Sequence, residues 1–278
     1  MSGGGGHAIA AMNQPRSFLG PVLLAAGVLA ASGSGACAEL AVDLSLVLAV
    51  DVSASMEPVE QELQRAGFIE AFRSPALYDA VRRGVLGRIA VTYIEWAGET
   101  EQSVVIPWTV IKQPTDAIIF ADLLSQAPLH SGGFTSLSGV IEFGMRLLED
   151  SHMEATRQAI DISGDGPNNK GRPVTWARDD ALARGIVING LPIMIHRPSV
   201  FPEMENLDGY FRECVIGGPG SFMIPVQDPA QFMEAIRAKL IREIAGRPEL
   251  QSLTIPAQAR DETLCLAGEI RLKQQLRH

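Results

Sequence analysis

The sequence predicts an α/β fold, a doubly wound and mainly parallel sheet with helices on both faces and one antiparallel edge strand. Three observations carry this. Residues 44–50 form an uncharged run rich in Leu and Val, which reads as a strand buried on both faces in the middle of a parallel sheet. Similar runs recur downstream, most of them separated by segments whose apolar residues return at helical spacing. Two acids, Asp51 and Asp165, follow two of these runs directly, at the carboxyl edge where open α/β sheets place their ligand sites.

In chain order, residues 1–38 differ from all that follows. They carry a Gly-rich start, Arg16 as the only full charge, an apolar core from Phe18 to Ala31 and the small-x-small signal Ala36-Cys37-Ala38. This is the pattern of a secretory signal peptide cleaved after Ala38, with Met12 as an alternative start, and its core is too short for a membrane span. A lipoprotein acylated at Cys37 is the alternative, although Ser34 stands where a bulky aliphatic residue is expected. Loss of Arg16 takes the formal charge from −9 to −10. A chain this acidic, with a pI near 5.1, offers no basic stripe for nucleic acid. Export leaves Cys214 and Cys265 in an oxidising compartment, and two cysteines permit one disulfide. No C-x-x-C is present and the five histidines show no zinc-ligand spacing.

Residues 39–246 read as the α/β domain. After the first strand, a helix begins around Ser55, with Pro58 in its first turn and Val59, Leu63, Ala66 and Ile69 on one face, and it ends at Ser74-Pro75. Residues 88–96 give the second strand. Residues 103–108 give a third, antiparallel because too few residues intervene for a parallel crossover, and Pro107 puts it at an edge. A helix follows over 115–125 with Thr115 as cap, and then a glycine-bearing loop, 130–139, runs into a helix ending near Glu149. The fourth strand is 157–163, Pro173 and Gly185 bracket a helix, and the fifth strand is interrupted by Gly190 and Pro192. A short helix is expected over 206–214. Gly217-Gly218-Pro219-Gly220 lacks the ending and spacing of a phosphate loop. Residues 221–226 read as the last strand, and Asp228 caps the last long helix, which ends at Gly246. The 247–278 tail is polar and mixed, and is expected to be pinned by Cys265.

Asp51, Ser53 and Ser55 alternate along one turn and offer a carboxylate and two hydroxyls, a partial cage for a hard cation. The same residues suit a plain turn with Ser55 as a helix cap. Thr135 reaches its helix start with a hydroxyl to spare, unless it or Ser136 is the N-cap. Asp165 occupies the same kind of position as Asp51, in a Gly-Asp-Gly-Pro sequence that also suits an ordinary turn.

Asp51-x-Ser53-x-Ser55, then a Gly-Gly-x-Thr loop ending at Thr135, then Asp165-Gly166 after a strand, resembles the von Willebrand factor type A (vWA) domain with its metal-ion-dependent adhesion site, over roughly residues 40 to 246. The resemblance implies that Ser53, Ser55 and Thr135 are direct or alternating ligands of Mg²⁺, Mn²⁺ or Ca²⁺. Asp51 and Asp165 would hold the ion directly or through water. An open coordination position would accept an Asp or Glu carboxylate from a protein partner. Ala54 stands where many members have Gly, and the approach to Asp165 through Ser163-Gly164 is unusual. The exported, stand-alone form also resembles bacterial proteins of this fold with no established role. The expected function is a periplasmic or secreted protein-binding module, not an enzyme, with no stable membrane span after signal cleavage. The alternatives are a structural vWA domain with a vestigial site and a metal-assisted hydrolase, for which His130 is the only nearby histidine in sequence.

Overall fold

The computed structural model describes residues 39–195, 204–246, 262–268 and 270. The predicted signal peptide and Cys37 lie outside the described residues, as does most of the tail. The elements are β1 (Leu40–Val42), β2 (Leu44–Asp51), α1 (Pro58–Arg73), α2 (Pro75–Arg82), β3 (Ile89–Trp96) and β4 (Gln102–Ile111). Next come α3 (Pro114–Gln126), α4 (Leu137–Glu149), β5 (Met153–Ala155), β6 (Gln158–Gly164), α5 (Val174–Ala183) and β7 (Val187–Pro192). A short α6 (Leu207–Tyr210) runs into a π-helical turn (Phe211–Val215), and a 3₁₀ turn (Pro229–Gln231) leads into α7 (Phe232–Ala245) before α8 (Glu262–Cys265).

The main sheet has the order β4-β3-β2-β6-β7, with β2 central, every pairing parallel except β3 with β4. All eight residues of β2 are buried. Leu44, Leu46, Leu48 and Val50 pack with Phe68, Phe72, Leu77, Phe120 and Ile236, whereas Val47 and Ala49 pack with Val140, Ile141, Ala177 and Tyr210. Helices α1, α2, α3 and α7 therefore cover one face, and α4, α5 and α6 the other. Burying each Leu or Val contributes about 1.5–3 kcal/mol, and a one-residue slip would exchange every side chain between faces, so β2 is fixed in register and its terminal acid is fixed in place.

Several elements differ from their sequence-based expectation. Ser74-Pro75 ends α1 but also starts α2, because Ser74 Oγ accepts from Ala76 N at 3.3 Å and Pro75 needs no hydrogen bond at the first helical position. β1 and β5 pair in a separate two-stranded sheet, each too short to show periodicity. β4 is longer than 103–108. Its pairing slips where Ile106 faces Tyr93 and Thr109 faces Val91, so Pro107 sits in a bulge that asks for no N–H. Residues 221–226 form no strand, only bridges at Met223 and Val226, beside a β7 whose Pro192 brings no donor to a ladder. The caps of α1 and α3 are Glu57 and Gln113, not Ser55 and Thr115.

A polar group is buried under α7. Lys239 is ion-paired with Asp161 of β6 and lies 3.4 Å from Glu243 Oε2, while Glu243 Oε1 accepts from Asn189 Nδ2 at 2.6 Å. Burial raises the Glu243 carboxyl to about 7 against the pull of Lys239, with Asp161 adding to the rise. The folded protein keeps this proton to a higher pH than an unfolded chain titrating near 4.5, so stability falls as pH climbs from about 4.5 to about 7. Glu243→Gln still accepts from Asn189 but has no charge to bury. Between about pH 5 and pH 8 the variant should lose less stability in urea unfolding than the wild type, by on the order of 2 kcal/mol. Parallel pH profiles for the two proteins would show that the proton is held elsewhere.

Candidate metal centre

The order of the sheet determines where the site forms. The chain leaves β2 toward α1 and β3 on one side and reaches β6 on the other, so the carboxyl ends of β2 and β6 border the crevice where the direction of winding reverses. Asp51 is the last residue of β2 and is fully buried; its Oδ1 accepts from Ser53 N at 2.7 Å. Ser53 Oγ lies 3.2 Å from Ser55 Oγ, which donates to Asp165 Oδ1 at 2.7 Å. Thr135 Oγ1 lies 3.4 Å from Ser53 Oγ. The structure thus brings residues of three separate loops into one cluster.

Helix capping leaves these hydroxyls available. Glu57 caps α1 through a reciprocal arrangement with Glu60, and Ser136 caps α4, its Oγ accepting from Gly139 N at 3.1 Å. Ser55 and Thr135 are released from that task. Asp51 does make the turn bond to Ser53. Ala54 is exposed and its backbone is not left-handed, so its methyl is accommodated. Gly164 has a purpose as well: a β-carbon there would lie 3.0 Å from Asp51 Oδ2 and 3.3 Å from the Trp96 ring.

The Thr135 loop is anchored on both sides. Thr135 N donates to Asn169 Oδ1 at 3.0 Å, and Asn169 N donates back to Thr135 O at 2.9 Å. Gly132 N donates to Val52 O at 2.9 Å, and a β-carbon on Gly132 would fall 2.2 Å from that of Ala97. Glu101 Oε2 accepts from Gly98 N and Gly133 N, which hold its carboxyl below the usual range. Glu95, at the end of β3, pairs with Arg65 and with His130 Nδ1, the latter at 2.6 Å, while Arg65 also donates to Ala127 O and Pro128 O. Sequence reading missed Asn168, Asn169, Glu101, Glu95 and Arg65 as supports. Two adjacent side-chain amides following the acid of a strand-end turn were the available signal.

The Asp51 carboxyl is pushed well above 3.8, first by burial and second by the charge of Asp165, against the backbone and hydroxyl of Ser53 and the backbone of Asp165. Its Oδ2 is buried without a hydrogen bond of good geometry among the described residues. The hydroxyl spacings of 3.2 and 3.4 Å are long for O–H···O bonds. Two carboxylates and three hydroxyls form a hard oxygen set that fits Mg²⁺, Mn²⁺ or Ca²⁺. Among the described residues no three His, Cys, Asp or Glu side chains gather as metal ligands, so hydroxyls and water would have to complete any shell here.

Comparison with solved structures identifies the fold as vWA-like. Proximal thread matrix protein 1 from the mussel byssus aligns over 74% of this chain and 48% of its own at 11% identity, with a TM-score of 0.54. A von Willebrand factor type A protein from Catenulispora acidiphila aligns over 74% and 44% at 14% identity, with a TM-score of 0.52. The pilus adhesin SpaC from Lactobacillus rhamnosus GG aligns over 73% and 31% at 12% identity, with a TM-score of 0.55. The chain spans less than half of each. Another structure of the mussel protein, with a TM-score of 0.50, is described with a zinc-occupied metal-ion-dependent adhesion site. Residues 41–248 match the family described as "Protein of unknown function (DUF1194)". No curated protein matches the sequence.

Because Asp51 holds its proton above the unfolded value, ionising it costs stability as pH rises from 3.8. Asp51→Asn should therefore keep the fold, with a cation-free Tm above about pH 6 equal to or higher than that of the wild type. A divalent cation at a hundred times its dissociation constant adds about 2.7 kcal/mol to a protein that binds it. That increment should be present in the wild type and absent from the variant in thermal scans with and without Mg²⁺ or Mn²⁺. A cation-dependent Tm rise of the same size in both proteins would remove Asp51 from the site.

Proposed function

We propose that this chain, which belongs to the DUF1194 family, is an exported protein-binding module that engages an acidic side chain of its partner through a divalent cation. The observation that carries the reading is the Oδ2 of Asp51, buried and without a hydrogen bond of good geometry among the described residues, beside three hydroxyls that neighbouring helices do not use as caps. Ser53, Ser55 and Thr135 would hold the ion through neutral oxygens, and Asp51 and Asp165 directly or through water. When bound, the cation supplies positive charge for a carboxylate of the partner. Three of the five donors are neutral, so much of that charge is left for the incoming group. Asp165 keeps Ser55 turned into the site, and Asn169 sets the Thr135 backbone.

The structural relatives named as an adhesin and a matrix protein support the interaction role, and the zinc-occupied adhesion site of one of them supports a divalent cation. A periplasmic or secreted location follows from the signal-like residues 1–38 and suits a protein with the Cys214–Cys265 disulfide. No helix among the described residues is long and apolar enough to cross a membrane. One observation favours a second reading, metal-assisted hydrolysis: Glu95 orients the ring of His130, which is 46% exposed and stands on the loop that leads to Thr135, as a general base would have to be held. Arg65 shares that Glu95 carboxylate, and the pair also explains how the 127–130 segment is held. The binding module therefore ranks first.

Calorimetry of residues 39–278 with Mg²⁺, Mn²⁺ and Ca²⁺, followed by capture on immobilised peptides carrying Asp or Glu against matched Asn or Gln peptides, tests this. The acidic peptides should be retained only with cation, and Asp51→Ala should weaken retention about tenfold or more, within the usual range of coupling between linked ligands. Retention that persists in excess chelator would place the partner surface elsewhere. Turnover of phosphoester or peptide substrates lost in His130→Ala would favour the hydrolase.

A further inference from the structure

On the far side of the loop that carries Asp165, two elements distant in sequence meet at one residue. Asn168 is fully buried, and its N–H donates to the Tyr210 hydroxyl at 3.0 Å. Its Oδ1 accepts from Ser138 N at 3.0 Å and Ser138 Oγ at 3.3 Å, which joins it to the first turn of α4 just beyond Thr135. Its Nδ2 donates to Arg172 O at 3.1 Å and closes the loop on itself. Against its carbonyl lies the C-terminal segment: a β-carbon on Gly268 would fall 1.9 Å from Asn168 O, 2.6 Å from its carbonyl carbon and 3.2 Å from Asn169 N. That segment is covalently tied. Cys265 is bonded to Cys214 in the π-helical turn that continues α6, the helix bearing Tyr210. Tyr210 and Gly268 thus approach Asn168 from elements joined by one disulfide.

We propose that Tyr210 and the disulfide-tied segment 262–268 clamp Asn168, and that this clamp holds the Asp165–Asn169 loop and Thr135 in the arrangement that receives the cation. The proposal rests on the metal reading for its consequence and on the hydrogen bonds for its geometry. Asn168 is a positioning residue: the hydrogen bonds described above join it to Tyr210, Ser138 and Arg172, the next residue, Asn169, exchanges two hydrogen bonds with Thr135, and Asp165 stands three residues earlier. Freeing the 168–169 peptide would let Thr135 and Asp165 separate, so the cation would first have to order the loop.

The test uses residues 39–278 and three variants. Tyr210→Phe removes one acceptor and keeps the ring, Gly268→Ala forces the segment off the Asn168 peptide, and Cys214→Ser with Cys265→Ser cuts the tie. Amide exchange at Thr135, Ser138, Asn168 and Asn169 reads the clamp directly, because all four N–H groups belong to the network. Each variant should speed exchange at these four amides about tenfold, leave β2 amides unchanged, and weaken Mn²⁺ binding by a similar factor. Unchanged exchange at the four amides, or an equal rise throughout β2, would overturn the clamp. A wild type that takes up no Mn²⁺ would refute the metal reading instead, and the amide pattern would still decide the clamp.

Discussion

The burial of one carboxylate at the end of the central strand is the constraint on which the rest of the site depends. Asp51 is removed from water because β2 is covered on both faces and flanked on both edges, and Gly164 lets β6 close beside it. A buried charge is costly unless it is neutralised, paired or coordinated. Only one of the two Asp51 oxygens is paired among the described residues, and the nearest acid, Asp165, adds repulsion. The site is therefore a local sacrifice of stability that a cation is chemically suited to relieve.

That sacrifice is tolerable because the surroundings are firmly held. The Thr135 loop is fixed by amides and glycines on one side and by the Glu95–Arg65–His130 group on the other. The buried Lys239–Asp161–Glu243 group under α7 shows the other way of managing internal charge, with a cation from the chain itself and an amide from Asn189. Between Asp51 and Asp165 the structure puts hydroxyls instead, which can accept from or donate to one another but carry no compensating charge.

Much of this was legible in the sequence, for identifiable reasons. The central strand announced itself because a strand buried on both faces must be apolar nearly throughout, and the acids at the carboxyl ends of β2 and β6 followed from where such apolar runs stop. The antiparallel edge was legible from the short connection after Trp96. What stayed hidden was set by contacts rather than by local pattern. Three residues of β1 are too few to alternate, and whether 221–226 forms a strand depends on the donors of β7. Ser74-Pro75 reads equally well as a stop and a start. Asn168 and Asn169 look like ordinary turn residues until the fold brings Tyr210, Ser138 and Thr135 against them.

The bulge at Pro107 bears on how copies of this chain behave at high concentration. β4 is the outer strand of the main sheet, and an outer strand leaves a row of backbone groups open to a second chain. Here that row is broken: Pro107 has no N–H, and the extra residue opposite Thr92 twists the strand out of line. A flat ribbon of paired sheets cannot propagate past such a kink. A second copy adding along this edge would therefore find its ladder interrupted at Pro107.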